Sequence, residues 1–64
     1  MNKIQKVDLL LSLAKKAANM LGESWDTLEQ KHRLTYYACA MYRKATGKAP
    51  GQEVIDLVRF NVVW

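Results

Sequence analysis

The chain lacks the residues on which secreted, metal-binding and membrane-spanning proteins depend. Its 64 residues contain one cysteine and one histidine, which excludes an internal disulfide and leaves no zinc-type ligand spacing. The apolar run Leu9-Leu10-Leu11 is bounded by Asp8 and Ser12, so it falls far short of the roughly 20 residues of a membrane span. No signal peptide can be drawn. We therefore expect a cytoplasmic protein with no membrane contact, no metal and no cofactor.

Glycine and proline are also scarce, and the few that occur divide the chain. The three glycines and the single proline fall at two points: Gly22 follows the first helical pattern, and Gly47, Pro50 and Gly51 follow the second. Between these points the apolar residues recur at the three- and four-residue spacing of an α-helix. This spacing predicts three helices, over about 3–21, 25–46 and 50–61.

Local signals mark the ends of these helices. Ser24 or Asp26 is the expected N-cap of the second helix, because a short polar side chain at that position accepts a hydrogen bond from the first turn. Gly22 and Gly47 suit the left-handed residue that ends a helix. Pro50 suits the first turn of the third helix, since its fixed φ is already helical.

The composition predicts a folded all-α domain. Half of the residues are hydrophobic and the net charge is only +4, which is not typical of a disordered chain. We expect residues 1–64 to form one helical domain in which the first two helices are an antiparallel hairpin and the third packs across them. A chain of this length buries only about 60% of its unfolded surface. With neither a disulfide nor a metal, association with another chain is the usual remaining source of stability.

Apolar residues cover more than half of the first predicted helix. One face carries Ile4, Val7, Leu11, Ala14, Ala18 and Leu21. A second stripe beside it carries Leu9, Leu13 and Met20. A surface helix needs an apolar stripe of only about 100°, so this helix is expected to contact structure on two sides. The second stripe, together with Phe60 and Trp64 near the C-terminus, is a candidate oligomer or partner seam; for the stripe itself, burial beneath the third helix is the alternative.

The second predicted helix carries a basic face. Arg33, Tyr36, Arg43 and Lys44 lie along one side of it, and Lys48 lies just beyond its end. Arginine and tyrosine side by side suit both phosphate binding and protein interfaces. The face is therefore a candidate partner-binding surface, and an ordinary solvated face with cations near the helix C-terminus is the alternative.

No catalytic constellation is visible. His32 and Cys39 lie two turns apart on one helix, about 10 Å, which is too far for a thiolate and its base to share a proton. We expect Cys39 to be a small core residue. A helix-turn-helix centred on Gly22 would place Asp26 and Glu29 at the start of its recognition helix, where DNA readers usually carry Arg, Lys, Asn or Gln. The sequence thus predicts neither an enzyme nor a sequence-specific DNA reader.

The remaining expectation is an interaction protein. A small helical chain with surplus apolar surface and no chemistry is expected to form a homodimer and to act by occupying a surface on a larger protein whose identity the residues do not give. Small accessory, inhibitor or adaptor proteins, including those of phages and other mobile elements, share this profile as an analogy of type. The alternative is a nucleic-acid-binding module that uses the basic face against phosphates.

Overall fold

Three α-helices account for the architecture. The structure is a computed structural model that describes residues 1–60, and it contains α1 (Lys3–Leu21), α2 (Leu28–Thr46) and α3 (Gln52–Arg59). The first two helices form the hairpin and α3 packs on both of them; 77% of residues 1–60 are helical, and none of these residues lies in a strand. The predicted all-α class and helix arrangement are confirmed. The predicted end of the third helix at 61, and Trp64, lie outside the described residues.

Helix α1 begins and ends at residues that satisfy its free backbone groups. Asn2 and Gln5 form a capping box: the Asn2 side chain accepts from the Gln5 backbone N–H at 2.8 Å, and the Gln5 side chain accepts from the Asn2 N–H at 3.0 Å. At the other end Gly22 has φ 67° and donates its N–H to the carbonyls of Ala18 and Asn19. A positive φ of this kind favours glycine, so Gly22 ends α1 as its sequence position indicates.

The start of α2 differs from the prediction. The N-cap is Thr27, not Ser24 or Asp26, and the helix begins at Leu28 rather than at 25. Thr27 Oγ1 accepts from the Gln30 N–H at 3.1 Å, while Gln30 Oε1 accepts from the N–H groups of Thr27 and Asp26 and from the Ser24 hydroxyl at 3.1–3.2 Å. One carboxamide oxygen thus satisfies three donors of the turn. The Thr27–Gln30 capping box is therefore a more stable start for α2 than a cap at Ser24 or Asp26.

The start of α3 also lies later than predicted. The helix begins at Gln52 rather than at 50, and its N-cap is Gly51 with φ 94° and ψ 147°. Pro50 precedes the helix and is buried. The backbone needs the positive φ of Gly51 to turn from the buried proline into α3, so the helix cannot include residue 50.

The buried core lies where the three helices meet. Its hydrophobic members are Val7, Leu10, Ala14, Ala17, Ala18, Leu34, Ala38, Tyr42, Val54 and Val58. Leu10 is 0% exposed although it belongs to neither predicted stripe, whereas Ile4 and Leu21 of the predicted apolar face are 73% and 47% exposed. The prediction for α1 was wrong at these positions because the buried side of a broadly apolar helix is decided by where its neighbours pack.

We expect Leu10→Ala to lower the free energy of unfolding by about 2–5 kcal/mol, since it leaves a cavity in a fully buried position. Ile4→Ala is the matched control, and its effect should stay within about 0.5 kcal/mol because the side chain is mostly in water. Urea unfolding followed by circular dichroism measures both. Equal losses for the two variants would contradict the core described above.

We expect Thr27→Ala to destabilise the protein by about 1 kcal/mol, since it removes the acceptor for the first turn of α2. Asp26→Ala should cost less than about 0.5 kcal/mol, as expected of a surface substitution. The same unfolding experiment compares them. A larger loss for Asp26→Ala than for Thr27→Ala would place the cap one residue earlier.

Candidate interaction surfaces

The basic face of α2 is exposed along its length. Arg33, Tyr36, Arg43 and Lys44 are exposed on α2, and Lys48 is exposed just after the left-handed Gly47. Arg43 and Lys44 lie in the last turn of the helix, where cations interact favourably with the carbonyl end of the helix dipole. The structure therefore presents all five side chains to solvent, as a partner-binding surface requires.

Two members of the basic face are already engaged within the chain. Arg33 Nη2 lies 3.2 Å from Glu23 Oε1, and the Tyr36 hydroxyl accepts a hydrogen bond from Arg59 Nη1 at 3.4 Å. Among residues 1–60, the side chains of Arg43, Lys44 and Lys48 make no ion pair. The uncompensated positive charge of the basic face is therefore concentrated at the C-terminal end of α2.

An aromatic and cationic cluster joins the end of α3 to the side of α2. The Arg59 guanidinium contacts Asp56 Oδ1 at 3.1 Å and lies 4.6 Å from the centre of the Phe60 ring. The Phe60 ring meets the ring of His32 edge-on, with 5.3 Å between centroids. Phe60 thus has an intramolecular partner, although half of its surface remains exposed. His32, Tyr36 and Cys39 are spaced four and three residues apart, so they lie on one stripe of α2. This spacing is the feature of the sequence that indicates a contact on this side of the helix.

The other members of the predicted seam lie elsewhere. Leu9 and Leu13 are half-buried and pack against the core, and Met20 is 71% exposed. They lie on α1 away from the side that meets α3, since α3 reaches α1 through Leu57, beside Ile4. The structure therefore separates Phe60 from Leu9, Leu13 and Met20.

These three residues belong to one face of the hairpin. Helix α3 contacts the side of α2 that carries Tyr36 and Cys39, so Tyr37 and Met41 lie on the opposite side of that helix. Tyr37 is exposed and Met41 is half-buried against the core. We call the surface formed by these side chains the open hairpin face; its members are Leu9, Leu13, Met20, Tyr37 and Met41. It is the face that α3 leaves uncovered. Its named members are apolar or aromatic, and Lys6 and Lys16 lie on the same stripe of α1, at three- and four-residue spacing from Leu9, Leu13 and Met20.

Two concave sites flank the helices. A groove of about 330 Å³ between α1 and α3 is lined by Lys3, Ile4, Val7, Asp8 and Leu57. A second pocket, of about 310 Å³, lies at the end of the hairpin and is lined by Met1, Lys6, Tyr42, Thr46, Lys48 and Ala49. Neither site is predicted by the sequence, because each is formed by residues from separate helices or turns.

Cys39 is half-buried beside Arg59. Burial raises the pKa of its thiol, because a thiolate is poorly solvated there, and the nearby Arg59 charge partly offsets this rise in the pKa. Cys39 therefore packs against the core as a protonated thiol, which is the weakly reactive form.

We expect Arg59→Gln to raise the pKa of Cys39 further, since it removes a nearby positive charge that stabilises the thiolate. The pH at which the rate of iodoacetamide alkylation reaches half of its plateau reports this pKa. Arg43→Gln, which also removes a cation from the protein, is the control and should leave the midpoint unchanged. A lower midpoint in Arg59→Gln would contradict the assigned cause.

The described residues also bear on the classes of site considered from the sequence. Among residues 1–60, no group of three or more His, Cys, Asp or Glu side chains could hold a metal ion. Over the same range, no helix combines the length and apolarity needed to cross a bilayer.

In comparisons with known proteins, no family model matches the chain, and no curated protein and no solved structure is significantly similar to it.

Proposed function

We propose that the chain is a small, non-enzymatic helical interaction module of the cytoplasm. In this proposal it associates with a second copy of itself through the open hairpin face, and the dimer acts as an accessory, inhibitor or adaptor protein on a larger protein. The observation that carries the proposal is the open hairpin face itself: large apolar side chains from two helices, opposite the side that α3 covers.

The chemistry of this face suits a protein partner. Met20 is 71% exposed and Tyr37 is also exposed, beside the half-buried Leu9, Leu13 and Met41. Several large apolar side chains exposed on one face are uncommon on a protein that works alone. Methionine and tyrosine are enriched at protein interfaces, where they provide adaptable or rigid contact area.

A second copy is the occupant that the hairpin geometry favours. Two antiparallel hairpins packed face to face form a four-helix bundle, in which each apolar stripe faces another of the same kind. A two-fold axis gives such an interface from one self-complementary surface. The buried core of one chain contains four alanines, Ala14, Ala17, Ala18 and Ala38, so a further buried layer would add stability that a small core of this kind lacks.

Binding of nucleic acid through the basic face is the second candidate. It is favoured by the exposed Arg43, Lys44 and Lys48, which make no ion pair within residues 1–60. It ranks second because Arg33 and Tyr36 already contact Glu23 and Arg59, and these contacts would have to be exchanged for phosphate contacts.

We expect the wild-type chain to be a dimer at micromolar concentration by sedimentation equilibrium. The double variant Met20→Lys/Tyr37→Lys should weaken association by about tenfold or more, since it places like charges on both sides of the interface. Both side chains are exposed, so helicity should be retained. Ile4→Lys, on the α3 side of α1, is the matched control and should dimerise normally.

Two outcomes would contradict the proposal. One is a wild-type chain that stays monomeric at high micromolar concentration; the other is a double variant that associates as tightly as the wild type. A mixed-sequence duplex added to the same cell tests the second candidate. Binding that weakens steeply with salt and is lost in Arg43→Glu/Lys44→Glu would make the basic face the functional surface.

A further inference from the structure

The pocket at the end of the hairpin, where α1 begins and α2 ends, is positively charged. We call it the end pocket; it has a volume of about 310 Å³ and is lined by Met1, Lys6, Tyr42, Thr46, Lys48 and Ala49. The lining contains two lysines and no acidic residue. Neither lysine takes part in an ion pair among residues 1–60. An anion is therefore the ligand that the charge of the pocket favours.

Lys6 lies in an unfavourable place for a cation. It is half-buried one turn into α1, close to the end at which the helix dipole is positive, and the first turn of α1 contains no acidic residue. Lys3, in that first turn, pairs with Glu53 of α3, whereas Lys6 has no such partner within residues 1–60. An anion bound in the pocket would stabilise both the ammonium group and the amino end of α1.

Tyr42 provides an independent observation. Its side chain is 3% exposed, and its hydroxyl donates to the sulfur of Met1 at 4.0 Å. A thioether is a weak acceptor, so this hydroxyl, on a residue that lines the pocket, would gain a stronger hydrogen bond from a ligand oxygen. Met1 is 63% exposed, and its side chain can move aside so that a ligand oxygen takes the place of the sulfur.

The hydroxyl of Thr46, which also lines the pocket, is engaged within the chain. Its hydroxyl lies 2.9 Å from the Tyr42 carbonyl oxygen and 3.0 Å from the Lys48 carbonyl oxygen. Its single proton is therefore used within the C-terminal turn of α2. The negative potential at the carbonyl end of α2 is therefore left for the ammonium groups of Lys6 and Lys48 to offset.

We infer that the end pocket binds a phosphate group, held by the ammonium groups of Lys6 and Lys48 and by the Tyr42 hydroxyl. Three donors that come from α1, from α2 and from the following turn suit a ligand with oxygens directed to several sides, and hydrogen bonds to such an anion are stronger than those between neutral groups. The volume leaves room for a small organic part beyond the phosphate. The phosphate is either free or carried by a small molecule.

The test is thermal unfolding with increasing inorganic phosphate, against potassium chloride at equal ionic strength. Phosphate should raise Tm with a saturating dependence on concentration, as expected for a ligand that binds the folded state, and chloride should not. Lys6→Gln and Tyr42→Phe should each weaken the apparent Kd by about tenfold or more. Lys16→Gln, which removes an exposed lysine farther along α1, is the matched control and should behave as wild type.

Lys6→Gln also separates binding from folding. In phosphate-free buffer its Tm should equal or exceed that of the wild type, because the change removes a cation from the amino end of α1. Loss of the phosphate response with no loss of Tm would therefore not be an effect of unfolding. Absence of a phosphate-specific shift in the wild type, or a full shift in Lys6→Gln, would overturn the inference.

Glycerol phosphate, titrated in parallel, distinguishes the source of the phosphate group. Binding about tenfold tighter than that of inorganic phosphate supports a phosphorylated small molecule, and equal binding supports free phosphate. The same titration on Met20→Lys/Tyr37→Lys should give the wild-type response, since the end pocket lies within one chain. The result for phosphate binding is therefore independent of the result for the proposed dimer.

Discussion

The close packing of α1 against α2 is the interaction on which the rest of the structure depends. Ala14, Ala18 and Ala38 are fully buried, and side chains this small let two helices approach closely. Leu10 and Leu34, also fully buried, are the larger side chains of this contact, and their removal from water stabilises it. The hairpin so formed is the rigid element against which α3 docks and on which both candidate surfaces are built.

The shortness of α3 has the larger functional consequence. With eight residues it buries Val54 and Val58 against one side of the hairpin. Its polar contacts, from Glu53 to Lys3 and from Arg59 to Tyr36, join exposed or partly exposed side chains, which contribute little free energy in water. Burial of the two valines, with Ile55 and Leu57 packed against the core beside them, therefore holds α3 in place, and the opposite side of the hairpin is left uncovered.

Charge is distributed unevenly along the hairpin. Glu23, Asp26 and Glu29 lie around the turn between α1 and α2, while Lys6, Arg43, Lys44 and Lys48 lie at the opposite end. The three cations of α2 and its following turn suit the carbonyl end of that helix, whereas Lys6 lies near the amino end of α1. A cation that the helix dipole does not favour, beside a buried phenol with a weak acceptor, indicates that this end of the molecule is arranged for a ligand and not for stability alone.

The sequence by itself determined the number of helices, the bounds of α1 and the end of α2 at Thr46, because periodicity, glycine and capping signals are local. Local signals were ambiguous at Ser24, Asp26 and Thr27, because each of these residues can cap a helix. The hydrogen bonds of Gln30 to this turn make Thr27 the N-cap. Only the tertiary structure decided which part of α1 is buried, since a helix that is apolar on most of its circumference has no preferred side until its neighbours pack. The end pocket likewise depends on Lys6 and Tyr42 meeting across 36 residues of chain, a proximity that no local pattern encodes.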